Sequence, residues 1–337
     1  MTRLFGPPQV EQCAFLPGAI GDSLAALPVI RTIVEEFPDQ PYTFYAQDHI
    51  YKLARALMFV NGLAGKNVRI RRSSLMNKDF KDGKQRGGRA FNINPPYVTT
   101  LQRSLTEQAY LSLLDYSIME AFEHPERMKY LSVIPNEYES PRWIYVAVTS
   151  KEKNRVLPEV FAKEIFDVAQ MMGMDIMLVG RTTDGETLSP VAVALKKLSA
   201  DTLFGAPVVV DRVNRFKGLL GLLKAMRRNA AMFVGADGGL MHLAACVEGL
   251  PVVGYFSNVD PKHRKPIGHP YFFSVTPDPV ALACRFCQTR SKFLYDFDFR
   301  TCGLPDPSAQ YGCAKGVGLT PSGVKKVLTT AVSWSRV

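Results

Sequence analysis

Residues 230–256, AAMFVGADGGLMHLAACVEGLPVVGYF, indicate the fold of this chain more clearly than any other stretch. An apolar strand over Ala230–Gly235 leads into a glycine-rich turn and then a helix over Leu240–Val247. Gly249 ends that helix, and a second apolar strand follows over Pro251–Phe256. This order is typical of a βαβ unit, in which a helix connects two parallel strands. The segment therefore predicts a parallel sheet covered by helices.

The same alternation of short apolar strands and longer helical periods continues through both halves of the chain. A length of 337 residues suggests two domains, at about 150 residues per domain. We interpret the Pro-, Glu- and Tyr-rich stretch 120–141 as the linker between them. In the first half, elements are predicted at Cys13–Leu16, Asp22–Phe37, Tyr42–Ala46, His49–Phe59, Ala90–Asn94 and Leu101–Tyr116. In the second half, further elements are predicted at Trp143–Thr149, Pro158–Met172, Met174–Gly180, Pro207–Asp211 and Phe216–Arg228, with a last helix starting at Thr320-Pro321-Ser322. The fold class is thus α/β, with two Rossmann-like doubly wound domains (1–140 and 141–319) facing a cleft and a terminal helix at 320–337.

The composition excludes several classes of protein. A hydrophobic content of 47% is too high for a disordered chain. No run of about 18 apolar residues is present, so no transmembrane segment is expected. Pro7, Pro8, Glu11 and Gln12 interrupt the N-terminal stretch, which lacks the apolar core of a secretory signal. We therefore expect a cytoplasmic protein.

Positive charge is concentrated in one segment, residues 66–90. The whole chain has 41 Lys and Arg against 31 Asp and Glu, a net charge of +10. The segment carries only Asp79 and Asp82 as acids, and its Gly, Ser and Asn content suits a flexible arm. Such a segment favours a polyanionic partner, either nucleic acid, a phosphorylated glycolipid or an anionic membrane face in peripheral contact, although a solvated surface loop is the alternative. Its cations are Lys66, Arg69, Arg71, Arg72, Lys78, Lys81, Lys84, Arg86 and Arg89.

A first glycine loop, Pro17-Gly18-Ala19-Ile20-Gly21-Asp22-Ser23, separates the first predicted strand from the first helix. Its glycines permit a tight turn and close backbone approach. Asp22 falls at the start of the helix, where the dipole favours negative charge, and at the strand end that faces the cleft. A permanent carboxylate there suits a catalytic base. A helix cap formed by Asp22 or Ser23 is the alternative.

A second glycine loop, Gly235-Ala236-Asp237-Gly238-Gly239-Leu240-Met241-His242, occupies the equivalent place in the second half. Free backbone N–H groups at such a helix start form an anion site. The pattern is neither a Walker A motif nor GxGxxG. We expect the amides of Gly238, Gly239 and Leu240 to contact the ligand, and Asp237 to cap the loop or orient His242. His242 is either a ligand contact or a helix histidine satisfied by a neighbour.

Four of the six cysteines form the pattern Cys284-x2-Cys287-x14-Cys302-x10-Cys313. Clustered cysteines in a chain without a secretion signal more often bind metal than form disulfides. Four thiolates would make a closed structural zinc site, with reduced thiols as the alternative. Within this cluster, Asp296 and Asp298 form an Asp-x-Asp of the kind that holds Mn²⁺ and a diphosphate, but its alternation with aromatic residues favours a half-buried strand.

Together, these motifs resemble glycosyltransferase family nine, the family of the ADP-heptose:lipopolysaccharide heptosyltransferases. The resemblance covers residues 13–60 and 143–337 and little of the middle. It rests on Gly18–Asp22 followed by Leu27–Arg31, and on Asp237–Ala245 followed by Gly249–Val253. Asp260-Pro261 with Arg264, Pro266 and Gly268 adds to it, as does Thr149-Ser150 with Lys153, Arg155 and Pro158.

The resemblance implies a GT-B fold with an acceptor-binding first domain, a nucleotide-sugar-binding second domain, and a last helix that crosses back to the first. It implies inverting transfer without a catalytic metal or other cofactor, with Asp22 as the base. Gly238 stands where the family usually has Ser or Thr, which removes a hydroxyl that could hold a phosphate. The donor-binding residues implied are Ser150, Lys153, Arg155, Asp237, Gly238, Gly239, Leu240 and His242. Gly18 and Gly21 are expected to contact the acceptor. The basic segment lies beyond the matched region but in the acceptor-binding half, so we expect its charge to bind the acceptor too, through Arg69, Arg71, Arg72, Lys84 and Arg86.

Three functions follow as candidates. The first is a heptosyltransferase-like enzyme acting on lipopolysaccharide core. The second is a glycosyltransferase that modifies a hydroxylated base in DNA, and the third is a catalytically silent module that binds a polyanion.

Overall fold

The chain folds into two α/β units, each built on a parallel sheet, as the sequence predicts. The computed structural model describes residues 12–16, 19–36, 38, 41–63, 68–73, 90–92, 129–135, 141–150, 155–181, 187–202, 205–282, 284, 286, 302 and 310–335. The predicted helix at 101–116 and the Asp-x-Asp at 296–298 lie outside these residues.

The described strands of the first sheet are four, in the order β3-β2-β1-β4, and all are parallel. Residue pairs such as Ala14 with Phe44 and Ala14 with Phe91 set its register. Leu27, Leu53 and other apolar residues of the two helices are fully buried with Phe44 in one core. The elements are β1 (Gln12–Phe15), α1 (Ile20–Glu36), β2 (Tyr42–Ala46), α2 (Asp48–Val60), β3 (Val68–Arg72) and β4 (Ala90–Asn92).

In the part of the second domain that the structure describes, the sheet has six parallel strands in the order β12-β11-β10-β5-β7-β9, the doubly wound arrangement. Helices α3, α4 and α9 cover one face, and α5 and α6 lie on the other. The strands are β5 (Trp143–Ala147), β7 (Asp175–Val179), β9 (Val209–Asp211), β10 (Ala230–Ala236), β11 (Val252–Tyr255) and β12 (Phe272–Val275), with β6 (Thr149–Ser150) and β8 (Thr187–Leu188) as a separate antiparallel pair. The helices are α3 (Val160–Met171), α4 (Pro190–Asp201), α5 (Gly218–Asn229), α6 (Gly239–Ala244), α7 (Pro261–Arg264), α8 (Gly312–Lys315) and α9 (Pro321–Ser333).

Part of the basic segment is a strand, which corrects the prediction of a flexible arm for those residues. Val68–Arg72 forms β3, the outermost of the described strands of the first sheet, parallel to β2. Val68 and Ile70 are half-buried while Arg69 and Arg71 are exposed. This alternation is the period of a strand, so the arginines occupy the solvent side of a regular element.

The last helix also departs from its prediction. Thr320 caps α9 as expected, because its hydroxyl accepts from the Gly323 N–H at 3.2 Å. However, Val324, Leu328 and Ala331 are buried in the core of the second domain, where α9 packs along α3 and strands β10–β12. The described part of the helix therefore does not cross back to the first domain.

The two domains meet through helices, with α1 against α6 and α2 against α5. The linker residues 129–135 run between them. The Ser132 carbonyl accepts from Asn61 of the first domain, and the Val133 N–H donates to Cys246 of the second at 2.8 Å. Among the described residues, no helix is both long and apolar enough to cross a membrane.

Candidate active site

The two glycine loops face each other across the domain junction. Each loop follows the carboxyl end of a strand, β1 in the first domain and β10 in the second, and each starts a helix. A Cβ on Gly21 would lie 2.7 Å from Cδ2 of His242, and a Cβ on Gly239 would lie 2.7 Å from Cβ of Ile20. Because real Cβ atoms do not approach so closely, the glycines allow the two helix starts to touch.

Asp22 lies at this junction and is almost fully buried, with 5% of its surface exposed. A one-turn helix, α7, brings Arg264 to it. Asp260 caps α7 by accepting from the Lys262 N–H at 3.0 Å, and Pro261 holds the first helical position. Arg264 Nη1 then lies 3.6 Å from Asp22 Oδ1, although the two residues belong to different domains.

Asp237 and Arg155 form a second pair beside the first. Asp237 ends β10, and Arg155 follows β5, the neighbouring strand in the sheet. Chains that leave adjacent strands towards opposite faces define the topological switch point, where α/β sheets bind ligands. Arg155 Nε is 3.9 Å from Asp237 Oδ2, and both side chains are mostly buried. No hydrogen bond to that carboxylate oxygen is formed among the described residues.

His242 lies between these pairs and is held by a tyrosine from the linker. Its Nδ1 is 2.8 Å from the hydroxyl of Tyr130, and the two rings stack at 5.9 Å. Burial lowers the pKa of His242 to about 4, because the charged imidazolium is poorly solvated there. The imidazole is therefore neutral at pH 7. We refer to Asp22, Arg155, Asp237, His242 and Arg264 as the junction cluster.

The structure thus brings together Asp22, Gly21, Arg155, Asp237, Gly238, Gly239, Leu240 and His242 from the residues singled out in the sequence. Gly238 has extended backbone, with φ 176°. Ser150 lies in β6, after β5. Gly18, Lys153, Lys84 and Arg86 lie outside the described residues. The expectation that Asp237 orients His242 is not met by a hydrogen bond, because Tyr130 takes that place at Nδ1.

Strand β3 lines a surface depression of about 380 Å³. Arg69 and Arg71 project beside helix α2, where Arg55 donates to the Tyr51 hydroxyl at 3.3 Å. Arg72, also expected to bind acceptor, forms a two-pronged ion pair with Asp48 at the start of α2. This pair lowers the pKa of the Asp48 carboxyl, chiefly through the hydrogen bond. The depression is lined by Tyr51, Arg55, Met58, Val68, Arg69, Ile70 and Arg71.

The predicted cysteine site is only partly described. Cys284, Cys302 and Cys313 are half-buried free thiols, and Cys287 lies outside the described residues. Burial raises the pKa of the Cys284 thiol, and the nearby Cys302 raises it further. No group of three or more metal-ligating side chains forms within the described part of the chain.

Two residues of the site had no assigned role from the sequence. Arg264 belongs to the motif that begins with Asp260-Pro261, but its partner Asp22 is 242 positions earlier in the chain. Tyr130 lies in the stretch interpreted as linker, and no local pattern distinguishes it from other linker tyrosines.

Comparisons with known proteins agree with this architecture. The model of glycosyltransferase family 9 (heptosyltransferase) matches residues 102–276, or 175 of the 337 residues. The match includes residues 102–142, where the resemblance was weak, and begins after the Asp22 loop. No curated protein matches this chain in sequence.

Three solved structures are similar over nearly the whole chain. A glycosyl transferase family 9 protein from Veillonella parvula DSM 2008 has 11% identity and a TM-score of 0.61, covering 98% of this chain and 99% of that one. E. coli ADP-heptose lps heptosyltransferase II has 13% identity and a TM-score of 0.62, covering 96% and 99%. The dodecameric iron-containing heptosyltransferase TibC, solved with ADP-D-beta-D-heptose, has 13% identity and a TM-score of 0.63, covering 98% and 78%. At these identities the likeness is one of fold.

Proposed function

The chain belongs to glycosyltransferase family 9, and from that premise we propose that it transfers a sugar from a nucleoside diphosphate sugar to a hydroxyl of an anionic acceptor. The observation that carries the proposal is the junction cluster. Two carboxylates and two guanidiniums, drawn from both domains, surround a neutral imidazole at the switch point of the second sheet. E. coli heptosyltransferase II and TibC, named for heptose transfer, support a heptose donated from ADP as the first candidate sugar.

In the proposed reaction Asp22 is the general base. Its carboxylate takes the proton of the acceptor hydroxyl as that oxygen attacks the anomeric carbon. The bond from that carbon to the diphosphate oxygen breaks on the opposite face, so a single displacement inverts the configuration. The almost complete burial of Asp22 supports this role, because exclusion of water protects the nucleotide sugar from hydrolysis.

The leaving diphosphate requires positive charge and hydrogen-bond donors. We assign these to the backbone N–H groups of Gly238–Leu240 and to the guanidinium of Arg155, with Lys153 as an additional cation from the same loop. A fixed cationic group at the developing charge stabilises the transition state without reorganisation. Arg155 at 3.9 Å from Asp237 supports this assignment, because the ion pair keeps the guanidinium beside the loop. Transfer by these groups needs no catalytic metal.

We assign the anionic part of the acceptor to the depression beside β3. Arg55, Arg69 and Arg71 supply positive charge, while Met58 and Ile70 supply apolar contact. This combination suits a phosphorylated glycolipid, which presents phosphate next to apolar groups, and a lipopolysaccharide core is therefore the proposed acceptor class.

We also propose that the four cysteines hold one structural metal ion. The effect of Cys302 on the pKa of Cys284, 18 positions earlier, supports this, because it indicates that thiols from two parts of the chain lie near each other. Four thiolates suit zinc and also iron. TibC is described as iron-containing, so both metals are candidates. The ion would stabilise residues 284–313 and take no part in transfer.

The test of the proposed function begins with ADP-heptose and a panel of other nucleotide sugars, measured by release of free nucleoside diphosphate. Asp22→Asn is expected to lower kcat by about 10²–10⁴ and to change the Kd of the donor less than two-fold. Asp167→Asn, which removes a carboxylate from an exposed pair on α3, serves as the matched control and should retain full activity. Turnover by Asp22→Asn at the wild-type rate would remove Asp22 from the mechanism. A folded wild type that binds donors but turns over none would favour the silent binding module.

The acceptor assignment has its own test. The double variant Arg69→Gln, Arg71→Gln is expected to raise the acceptor KM and to flatten its dependence on salt, with donor affinity unchanged. Lys325→Gln, Lys326→Gln removes the same charge from an exposed face of α9 and is the control. Phosphorylated lipopolysaccharide core and hydroxymethylated DNA are assayed in parallel. Transfer to the DNA alone would overturn the glycolipid assignment.

A further inference from the structure

Tyr130 is the linker residue that enters the junction cluster. Its backbone is fixed by both domains, since Arg31 donates to the Lys129 carbonyl at 3.2 Å and the Glu248 N–H donates to the Val133 carbonyl at 3.0 Å. The side chain is buried, with 8% of its surface exposed, and its hydroxyl is 2.8 Å from Nδ1 of His242. The two rings are inclined by only 24°, so the tyrosine restrains both the position and the plane of the imidazole.

We propose that Tyr130 is a positioning residue: its hydroxyl donates to Nδ1 of His242 and thereby fixes the imidazole proton on Nε2, the nitrogen that faces Gly21. The hydrogen bond stands on geometry alone, and its consequence for catalysis rests on the proposed function. Tyr130 lies outside both glycine loops.

The direction of the hydrogen bond follows from the surroundings of the hydroxyl. If Nδ1 carried the proton and donated to Tyr130, the hydroxyl proton would need another acceptor. Among the described residues, His242 is the one hydrogen-bond partner of that hydroxyl. A buried hydroxyl without an acceptor is costly, so Tyr130 is the donor. The imidazole proton then lies on Nε2, which is not among the buried unpaired polar atoms of the described residues.

The charges around the ring agree with this arrangement. Burial raises the pKa of Tyr130 well above its usual value, so the phenol keeps its proton. The negative charges of Asp22 and Asp237 raise the pKa of both Tyr130 and His242, whereas the positive charge of Arg264 lowers both. Two further groups act on one ring each. Cys246 raises the pKa of Tyr130, and Arg155 lowers the pKa of His242.

The result is a neutral N–H donor fixed at the first turn of α1. A Cβ on Gly21 would be 3.2 Å from Nε2, so this nitrogen lies against the residue that precedes Asp22. A diphosphate that takes up charge needs preorganised donors, and a neutral imidazole N–H supplies one without adding a third cation. In the other tautomer, with the proton on Nδ1, the lone pair of Nε2 would face the diphosphate oxygen and repel it.

The first test observes the tautomer directly in the free protein labelled with ¹⁵N-histidine. Two-bond ¹H–¹⁵N correlations at pH 7.5 are expected to show His242 neutral and protonated on Nε2. Tyr130→Phe, which keeps the stacked ring, should shift the Nδ1 resonance of His242 and leave the other four histidines unchanged. The signals of His242 are assigned by their loss in His242→Asn. If that variant does not fold, they are assigned by their nuclear Overhauser contacts with the ring protons of Tyr130. A proton on Nδ1 in the wild type, or an Nδ1 resonance unaffected by Tyr130→Phe, would overturn the proposal.

The second test measures the kinetic consequence. Tyr130→Phe is expected to lower kcat about 10-fold or more while the donor KM changes less than two-fold. Tyr145→Phe is the matched control, because Tyr145 is also buried and its hydroxyl donates to Asn229 Oδ1 at 2.9 Å, outside the junction cluster. If Tyr130→Phe had the wild-type kcat and only Tyr130→Leu lowered it, the tyrosine would act through the packing of its ring alone. That result would overturn the positioning role. Absence of turnover by the wild type would instead count against the proposed function, while the tautomer measurement still decides the hydrogen bond.

Discussion

Buried neutral histidines should make the stability of this protein fall steeply between pH 7 and pH 5. His269 packs edge-to-face on Phe272 at 6.3 Å, and neither of its ring nitrogens has a hydrogen-bond partner among the described residues. Burial lowers the pKa of His269 from 6.5 to about 4. The unfolded chain therefore takes up a proton below pH 6.5 that the folded chain refuses until about pH 4. The stabilising effect is complete above pH 7 and is lost as the pH falls through this window.

The size of the effect follows from the two pKa values. A difference of 2.5 units between them lowers the free energy of unfolding by about 2 kcal/mol at pH 5 for each such histidine. His242 has a pKa of about 4 for the same reason and adds a similar amount. The carboxyls of Asp48 and Asp211, whose pKa values are lowered from 3.8, titrate below this window.

Urea unfolding at pH 7, 6 and 5 measures this dependence. His269→Phe keeps an aromatic ring and is expected to remove about half of the loss between pH 7 and pH 5. It should be no less stable than the wild type at pH 7, because it buries no unsatisfied nitrogen. The exposed His49, changed to Gln, should leave the dependence unchanged. A wild-type pH dependence in His269→Phe would refute the reasoning.

Three further predictions concern the donor, the junction and the metal. Arg155→Ala should weaken binding of ADP, measured by calorimetry, by about 1.5–3 kcal/mol for a lost charge-assisted contact, and unchanged affinity would place the diphosphate elsewhere. Gly239→Ala should lower both the melting temperature and kcat, because the new Cβ would lie 2.7 Å from Ile20. Gly221→Ala, where the nearest atom would be 3.9 Å away, should instead stabilise helix α5 by about 0.5–1 kcal/mol, so equal effects would count against the close contact. Elemental analysis should find about one zinc or iron per chain, and EDTA should leave initial turnover intact; activity that requires added Mn²⁺ would instead indicate a catalytic metal.

The fold was largely predictable because its strands are apolar runs bounded by glycine and proline. Ala230–Ala236 and Val252–Tyr255 are buried on both faces of a parallel sheet, and such strands read as continuous apolar stretches. Helix α4 was not predicted, although Pro190 stands at its first turn, because Val191 and Val193 alternate with alanine in the manner of a strand. Strand β3 was missed for a different reason, since its charge outweighed its alternation.

The candidate site was predictable in its parts and not in its assembly. Asp22 and Asp237 follow strands in loops of recognisable sequence, so each is visible locally. The pairing of Asp22 with Arg264, and of Tyr130 with His242, depends on how the two domains approach each other. No local pattern encodes contacts between residues more than a hundred positions apart. The terminal helix shows the same limit, since its apolar face was predicted and its partner was not.

The arginines of β3 also bear on how copies of this chain behave towards each other. An edge strand presents unpaired backbone groups that a strand from another molecule can join, and charged side chains along the edge oppose that pairing. Among the described strands of the first sheet, β3 is the outermost and pairs with β2, and Arg69 and Arg71 are exposed on it. The charge proposed to attract the acceptor therefore also protects the first sheet from growing by addition of a second copy. Neutral residues at both positions would therefore be expected to have two effects: weaker binding of the acceptor and a greater tendency to aggregate through this strand.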